Sequence, residues 1–269
     1  MPNDAPPPTL RQEVETALPA LRSATWVALT GGRTNQVWRV GDLVVKRSVP
    51  GAESPLFPND PLAEAAALRL VAPHGLAPAL RHTGHGWLAY DHSAGQPWQG
   101  GDPGPVAAVL AAVHALPAAP FRQVGSGSAA LLQQARGILA QCDGALPPPP
   151  EIPDVPPIMS RLIHGDAVAG NVVVGAAGVR LIDWQCPAMG DPAEDLAAFL
   201  SPAMQWLYRG EILTAEQEAA FLAAYSDSEV SQRFRALKPL FRWRMAAHCL
   251  WKAARGDAEY RAALALELA

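Results

Sequence analysis

Charge is scarce in this 269-residue sequence: 17% of residues are charged, and 21 Lys and Arg stand against 25 Asp and Glu, for a net charge of −4. The cations are scattered, so the concentrated basic footprint of a nucleic-acid binder is missing and no nucleic-acid partner is expected. Cysteine is nearly absent. Cys142, Cys186 and Cys249 are odd in number, far apart and without CxxC spacing, which points away from a disulfide framework and from a zinc site. Long apolar runs are missing too. The longest, VAAVLAAVHALPAA at 106–119, is interrupted by His114 and Pro117 and is too short for a bilayer. The opening MPNDAPPPTLRQ has neither the cationic nor the apolar region of a secretory signal. These absences predict a cytoplasmic protein with no membrane partner. They leave its oligomeric state open.

What is present is apolar bulk. Nearly half the residues, 49%, are hydrophobic, enough for a sizeable core in one large domain or in two lobes around a cleft. Residues 8–20 read as a short amphipathic helix. WVALT, NQVWRV and LVVKR then read as β-strands separated by Gly31-Gly32 and Gly41-Asp42, both favoured hairpin turns. Asp60-Pro61 supplies an N-cap and a first-turn proline for the helix PLAEAAALRLVA. GWLAYDHSAGQPW, residues 86–98, reads as a strand running into a hinge between a lobe of residues 1–89 and one of residues 90–269. The second lobe is predicted mainly helical, with PVAAVLAAVHAL and SAALLQQARGILAQC as helices. Seven prolines in residues 144–159 enforce an extended crossing inside it. An antiparallel sheet followed by helices makes the expected class α+β.

The chemistry concentrates in LIHGDAVAGNVVVGAAGVRLIDW, residues 162–184. VVV and VRLI flank GAAG, so residues 172–182 form a hairpin. Asn171 lies at its entrance and Asp183 at its exit, which makes them neighbours. Asp166 precedes Asn171 by five residues in a loop long enough to curl over the same spot. An Asp carboxylate and an Asn amide oxygen are hard donors suited to Mg²⁺, with water and phosphate oxygens completing the shell. A further Asp beside them can accept the proton of an attacking hydroxyl.

HGD-x4-N followed by IDW resembles the choline kinase, thiamine kinase and aminoglycoside phosphotransferase group, relatives of protein kinases. The resemblance implies a bilobal kinase-like fold and an ATP- and Mg²⁺-dependent phosphotransferase. It makes Asp166 the catalytic base and Asn171 and Asp183 the magnesium ligands. LTGGRTNQVWRV is similar to the group's first hairpin, which places Gly31, Gly32, Thr34 and Asn35 over the nucleotide phosphates. Lys46 falls where the phosphate-gripping lysine belongs, and Val44, sharing its strand face, would line the adenine pocket. Glu64 matches the acidic partner of that lysine. Ala89 and Asp91 in the hinge at residues 88–92, together with Ile182, are expected at the nucleotide. His164 and Asp195 are expected to support the catalytic loop, and Asp191, Pro192 and Glu194 fit a helix capping box.

Only seven residues separate Asp183 from Asp191, too few for a peptide-docking activation segment, so the expected acceptor is a small molecule carrying a hydroxyl. On helix LKPLFRWRMAAHCLWKAA, Trp243, Ala247 and Trp251 form a stripe by the i, i+4 rule. With Trp184 and Trp206 they are the candidate substrate contacts for a cationic acceptor of the choline or thiamine type. Choline kinases more often place an aromatic and then an acidic residue after the second Asp; this chain has Trp184-Gln185. Arg242 and Arg244 flank the aromatic stripe. The alternatives are an aminoglycoside acceptor, although Glu211, Glu216 and Glu218 are dispersed, and a non-catalytic nucleotide-binding regulator.

Overall fold

The structure, a computed structural model, describes residues 5–29 and 34–269; Gly31 and Gly32 of the first hairpin lie outside the described residues. Helix α1, Pro8–Ala17, starts with proline in its first turn, where the missing N–H costs nothing. It buries Leu10 and Val14 against one face of a five-stranded antiparallel sheet. The strands β1 (Trp26–Ala28), β2 (Asn35–Val40), β3 (Leu43–Ser48), β4 (Leu80–Gly84) and β5 (Trp87–Asp91) are ordered β1-β2-β3-β5-β4. The two-residue turn Gly41-Asp42 sets the β2–β3 register, Val40 opposite Leu43.

Period-2 alternation then divides the sheet between two cores. Trp38, Val40, Val45, Trp87 and Ala89 pack with α1, whereas Val44, Leu88 and Tyr90 join the main core. That second face is covered by α2 (Pro61–Val71) through Ala65, Leu68 and Val71. As the dipeptide Asp60-Pro61 predicts, the Asp60 carboxylate accepts from the N–H groups of Leu62 at 2.9 Å and Ala63 at 3.0 Å.

Residues 92–95 carry the chain out of the sheet. A short strand β6 (Gln96–Pro97) pairs with β8 (Val172–Gly175) of the anticipated hairpin, whose second strand is β9 (Gly178–Leu181). Helices α3 (Gly104–His114) and α4 (Ser128–Leu139) precede the proline crossing. The crossing is pinned along α4 by Ser128 N–H to the Val155 carbonyl at 2.9 Å and has no regular structure. Beyond the hairpin come α5 (Ala193–Leu200), α6 (Pro202–Arg209), α7 (Ala215–Ala224), α8 (Ser228–Ala254) and α9 (Glu259–Leu268). One pairing has no counterpart in the sequence pattern. β7 (Arg161–Ile163) pairs with β10 (Ala188–Gly190), so the segment after Asp183 returns to the strand that leads into HGD. Among the described residues no helix is long and apolar enough to cross a membrane.

Loss of the α2 cap tests this local logic: Asp60→Ala is expected to lower stability by about 1 kcal/mol, read from the midpoint of urea unfolding.

Candidate active site

Lys46 projects from β3 onto the face shared with Val44, where α2 meets the end of β9. Its ammonium is 2% exposed and donates to Glu64 at 2.6 Å and to Asp183. Glu64 is itself 1% exposed, in the first turn of α2. Burial on its own would push the lysine pKa down, but the charges of Asp183 and Glu64 more than reverse it, so Lys46 stays cationic. Burial pushes the Glu64 carboxyl up, against the pull of Lys46. Asp183 is the one non-glycine residue with positive φ among the described residues, at 60°. Aspartate tolerates that region better than most residues.

The HGD loop is held from below by Asp195 of α5, which is fully buried. Its carboxylate accepts from the backbone N–H of His164 at 2.7 Å and of Gly165 at 2.8 Å, and from His114 Nε2 at 3.0 Å. Burial alone would raise the Asp195 pKa; the His114 hydrogen bond and the neighbouring imidazoles bring it below the ordinary carboxylate range. His164 accepts from the Asp166 N–H at Nδ1, 3.2 Å, so its Nε2 carries the proton and donates to the Ile182 carbonyl at 3.0 Å. Burial holds this imidazole neutral. His164 thus ties HGD to the strand that delivers Asp183. Gly165 has φ 79°, and a Cβ there would lie 2.3 Å from the Cys186 carbonyl oxygen. The close passage of the two loops therefore excludes a side chain.

Asn171 donates from Nδ2 to the Asp166 carbonyl at 2.9 Å and to its Oδ2 at 3.1 Å. That fixes the amide and leaves its oxygen to accept. The Asp166 carboxyl is pushed up to about 7, by burial first and by the charge of Asp183 second, against the Asn171 hydrogen bond. Asp166, Asn171 and Asp183 line one cavity of about 50 Å³, together with Thr34, Phe57, Tyr208, His248, Lys252 and Tyr260. Three groups from the one stretch 162–184 therefore share a crevice, and the Lys46–Glu64 pair, from distant parts of the chain, meets it through Asp183. A larger cavity of about 430 Å³ meets the catalytic loop at Ile163 and Gly165 but is not lined by Asp166, Asn171 or Asp183.

Several expected contacts fall elsewhere. Ala89 turns to the α1 core, and its backbone is spent opposite Val45 in the ladder. Asp91 is bound by Arg81 at 2.5 and 2.7 Å. The chain leaves the sheet after it, near Ser93, whose buried Oγ has no hydrogen-bond partner among the described residues. None of the four tryptophans lines the cavity beside Asp166. Trp184 is fully buried on His164, its indole N–H donating to the Leu181 carbonyl at 3.1 Å. Trp206 packs on the cluster of Met204 and Met245. Trp243 donates to the Pro147 carbonyl at 3.0 Å inside the α4–α8 core. The face of Trp251 is taken by the Arg255 guanidinium, 3.9 Å from its centroid. Arg244 pairs with Glu194, so the capping box is incomplete: Asp191 caps the Ala193 N–H at 3.1 Å, but Glu194 does not reach back.

Gln185 was not anticipated. Its Oε1 accepts from Asn35 Nδ2 at 2.6 Å and Thr34 Oγ1 at 3.0 Å, latching the first hairpin onto the segment after Asp183. His248, Lys252 and Tyr260 were also missed. Position 248 lies one residue past the Trp243–Ala247–Trp251 stripe, a rotation of about 100° around the helix.

Residues 25–240 match the model of the phosphotransferase enzyme family, and the chain belongs to that family. It is a phosphotransferase acting on an alcohol group. Its fold is similar to that of a choline/ethanolamine kinase family protein from Mesorhizobium loti, at 20% identity over 96% of this chain and 91% of that one, with a TM-score of 0.70. It is similar also to the choline kinase LicA from Streptococcus pneumoniae, at 16% identity over 97% and 98%, TM-score 0.62; that kinase also has a structure in complex with AMP. An aminoglycoside phosphotransferase from Streptomyces rimosus shares 17% identity over 87% and 98%, TM-score 0.52. No curated protein sequence matches the chain.

Asp195→Ala leaves two backbone N–H groups and one imidazole N–H without an acceptor. It is expected to cost about 3 kcal/mol or more of stability and to lower kcat, measured by denaturant unfolding and by turnover of the folded fraction.

Proposed function

We propose that the protein transfers the γ-phosphoryl group of ATP to the hydroxyl of a small-molecule acceptor. The observation that carries this reading is the convergence of Lys46, Glu64, Asp166, Asn171 and Asp183 around one crevice. The nucleotide complex of the pneumococcal choline kinase supports ATP as the donor. Lys46 is the cation for the phosphates, aimed by Glu64, with Thr34 and Asn35 over them. The adenine is assigned to the hinge after Asp91, at Ser93 and Ala94, with Val44 and Ile182 beside it.

The donor set at the phosphates is one amide oxygen, of Asn171, and the Asp183 carboxylate. Among the described residues no group of three or more His, Cys, Asp or Glu is arranged to hold a metal. Two hard oxygen ligands completed by phosphate and water suit Mg²⁺ rather than a cation that demands an all-protein cage. When bound, Mg²⁺ would neutralise charge on the phosphate oxygens. Asp166, its carboxyl near neutrality, accepts the proton of the acceptor hydroxyl as that oxygen bonds to the γ-phosphorus and ADP departs. Positioning and charge compensation supply most of the acceleration.

The acceptor is small. Only seven residues separate Asp183 from Asp191, too few for a peptide-docking segment, and Leu56 and Phe57 pack near the cavity. Apart from Asp166 and Asp183, no carboxylate lines it among the described residues, so the cluster of acids that a polycationic aminoglycoside demands is missing.

Asp166→Asn is expected to lower kcat by about 100-fold or more while MgATP still binds; isothermal titration and an ADP-release assay separate the two effects. Asp183→Asn should weaken nucleotide affinity in Mg²⁺ and leave affinity in EDTA nearly unchanged. The base must be ionised to act, so a raised pKa places the loss of activity on the acid side. The pH profile of kcat/KM for MgATP is expected to fall as pH drops through about 7, and that limb disappears in Asp166→Asn.

A further inference from the structure

The end of α8 presents His248 and Lys252, one helical turn apart, to the same cavity as Asp166, and Tyr260 of α9 and Tyr208 of α6 complete the wall. The side chain of Lys252 is 18% exposed, and its ammonium lies 3.7 Å from Asp257, beyond hydrogen-bond distance, and 5.5 Å from the ring centroid of Tyr260. His248 is 1% exposed, and its buried Nδ1 has no hydrogen-bond partner among the described residues. Phe57 and Tyr260 stand edge-on to its ring, at 4.9 and 5.7 Å. A buried polar atom left unpaired costs about 1–3 kcal/mol, so a site that retains one needs a compensating partner. Burial first, then the charges of Lys252 and Arg244, holds the His248 pKa down to about 3, so the ring is a neutral hydrogen-bonding group. The only carboxylates on the cavity wall among the described residues are Asp166 and Asp183, both already assigned. A quaternary or polyamine acceptor would therefore meet an ammonium whose partner carboxylate, Asp257 at 3.7 Å, lies off the cavity wall, at a cost that grows as the site desolvates.

We propose that the acceptor is a small alcohol carrying an anionic group, a carboxylate or a phosphate monoester, which Lys252 binds as an ion pair and His248 Nδ1 orients by a hydrogen bond while the hydroxyl faces Asp166. The proposal rests on the kinase reading above. It separates this site from the choline and aminoglycoside acceptors named for the structural neighbours.

The test is ADP release from MgATP with four acceptor sets at matched size: hydroxy-carboxylates, hydroxyl-bearing phosphate monoesters, neutral polyols, and cationic alcohols including choline and an aminoglycoside. The wild-type protein is expected to turn over members of one of the first two sets, and which set responds tells carboxylate from phosphate. Lys252→Ala should raise the acceptor KM by roughly 10-fold or more, the value of one charge-assisted hydrogen bond, with the KM for MgATP within about 2-fold. His248→Phe, which keeps the ring contacts, should raise the acceptor KM and leave the nucleotide parameters in place. Lys252→Glu should abolish use of the anionic acceptor. Turnover of choline or an aminoglycoside with a KM indifferent to Lys252→Ala would overturn the proposal and leave the kinase reading intact. An equal rise in the KM for MgATP would also overturn it, by assigning Lys252 to the nucleotide phosphates. MgATP binding without turnover of any set would overturn both readings.

Discussion

A buried ammonium has to be neutralised where it lies, and the Lys46 charge therefore dictates much of the geometry around it. Its two carboxylate partners come from α2 and from the end of β9, so one cation ties the sheet, the helix above it and the hairpin that carries Asp183. Removing one member of such a set strands charge in low dielectric, at about 3–5 kcal/mol. The same arrangement is electrostatically provisional. Asp183 is still 26% exposed, and under the proposed function an arriving phosphate would replace its negative charge at Lys46.

Around this pair the structure spends its buried polar groups on orientation. Asp195 takes three donors and fixes the backbone of His164 and Gly165, and His164 passes that constraint to Ile182, next to Asp183. Each bond is modest, but together they hold the backbone that places Asp166 and Asp183. The return of β10 to β7 closes the arrangement, bringing Cys186 against Gly165 and Gln185 against Thr34 and Asn35. Glutamine at 185 thus latches the start of β2. A carboxylate there would accept the same donors but would add negative charge beside Asp166 and Asp183.

The far wall of the cavity has a different character. Asp166, Asn171 and Asp183 come from short loops with rigid backbone partners, whereas the wall that carries His248, Lys252, Tyr260 and Tyr208 is built from the far end of α8, α9 and α6, packed through apolar contacts around Met204, Met245 and Cys249. Under the proposed function, that division would let the wall vary without disturbing the three polar groups opposite.

How much of this was legible in the chain depends on the range of the interaction. Hairpin turns, the Asp60-Pro61 cap, strand alternation at Val44 and Lys46, and the order of Asp166, Asn171 and Asp183 are local, set by turn chemistry and by period-2 geometry, and the sequence alone determined them. The cavity wall at His248 and Lys252 was not legible, because the conspicuous stripe on α8 is the apolar tryptophan one. Which stripe faces the cleft depends on how α4 packs against the helix, and packing rotated the visible stripe into the core. Ala89 failed for the analogous reason in a strand, where alternation gives two faces but not which one meets α1. The sequence by itself settled the order of Lys46, Glu64, Asp166, Asn171 and Asp183 along the chain and the turns beside them; tertiary structure alone decided which neighbours face them, because the phase of a helix or strand is fixed only by the buried surface it finds.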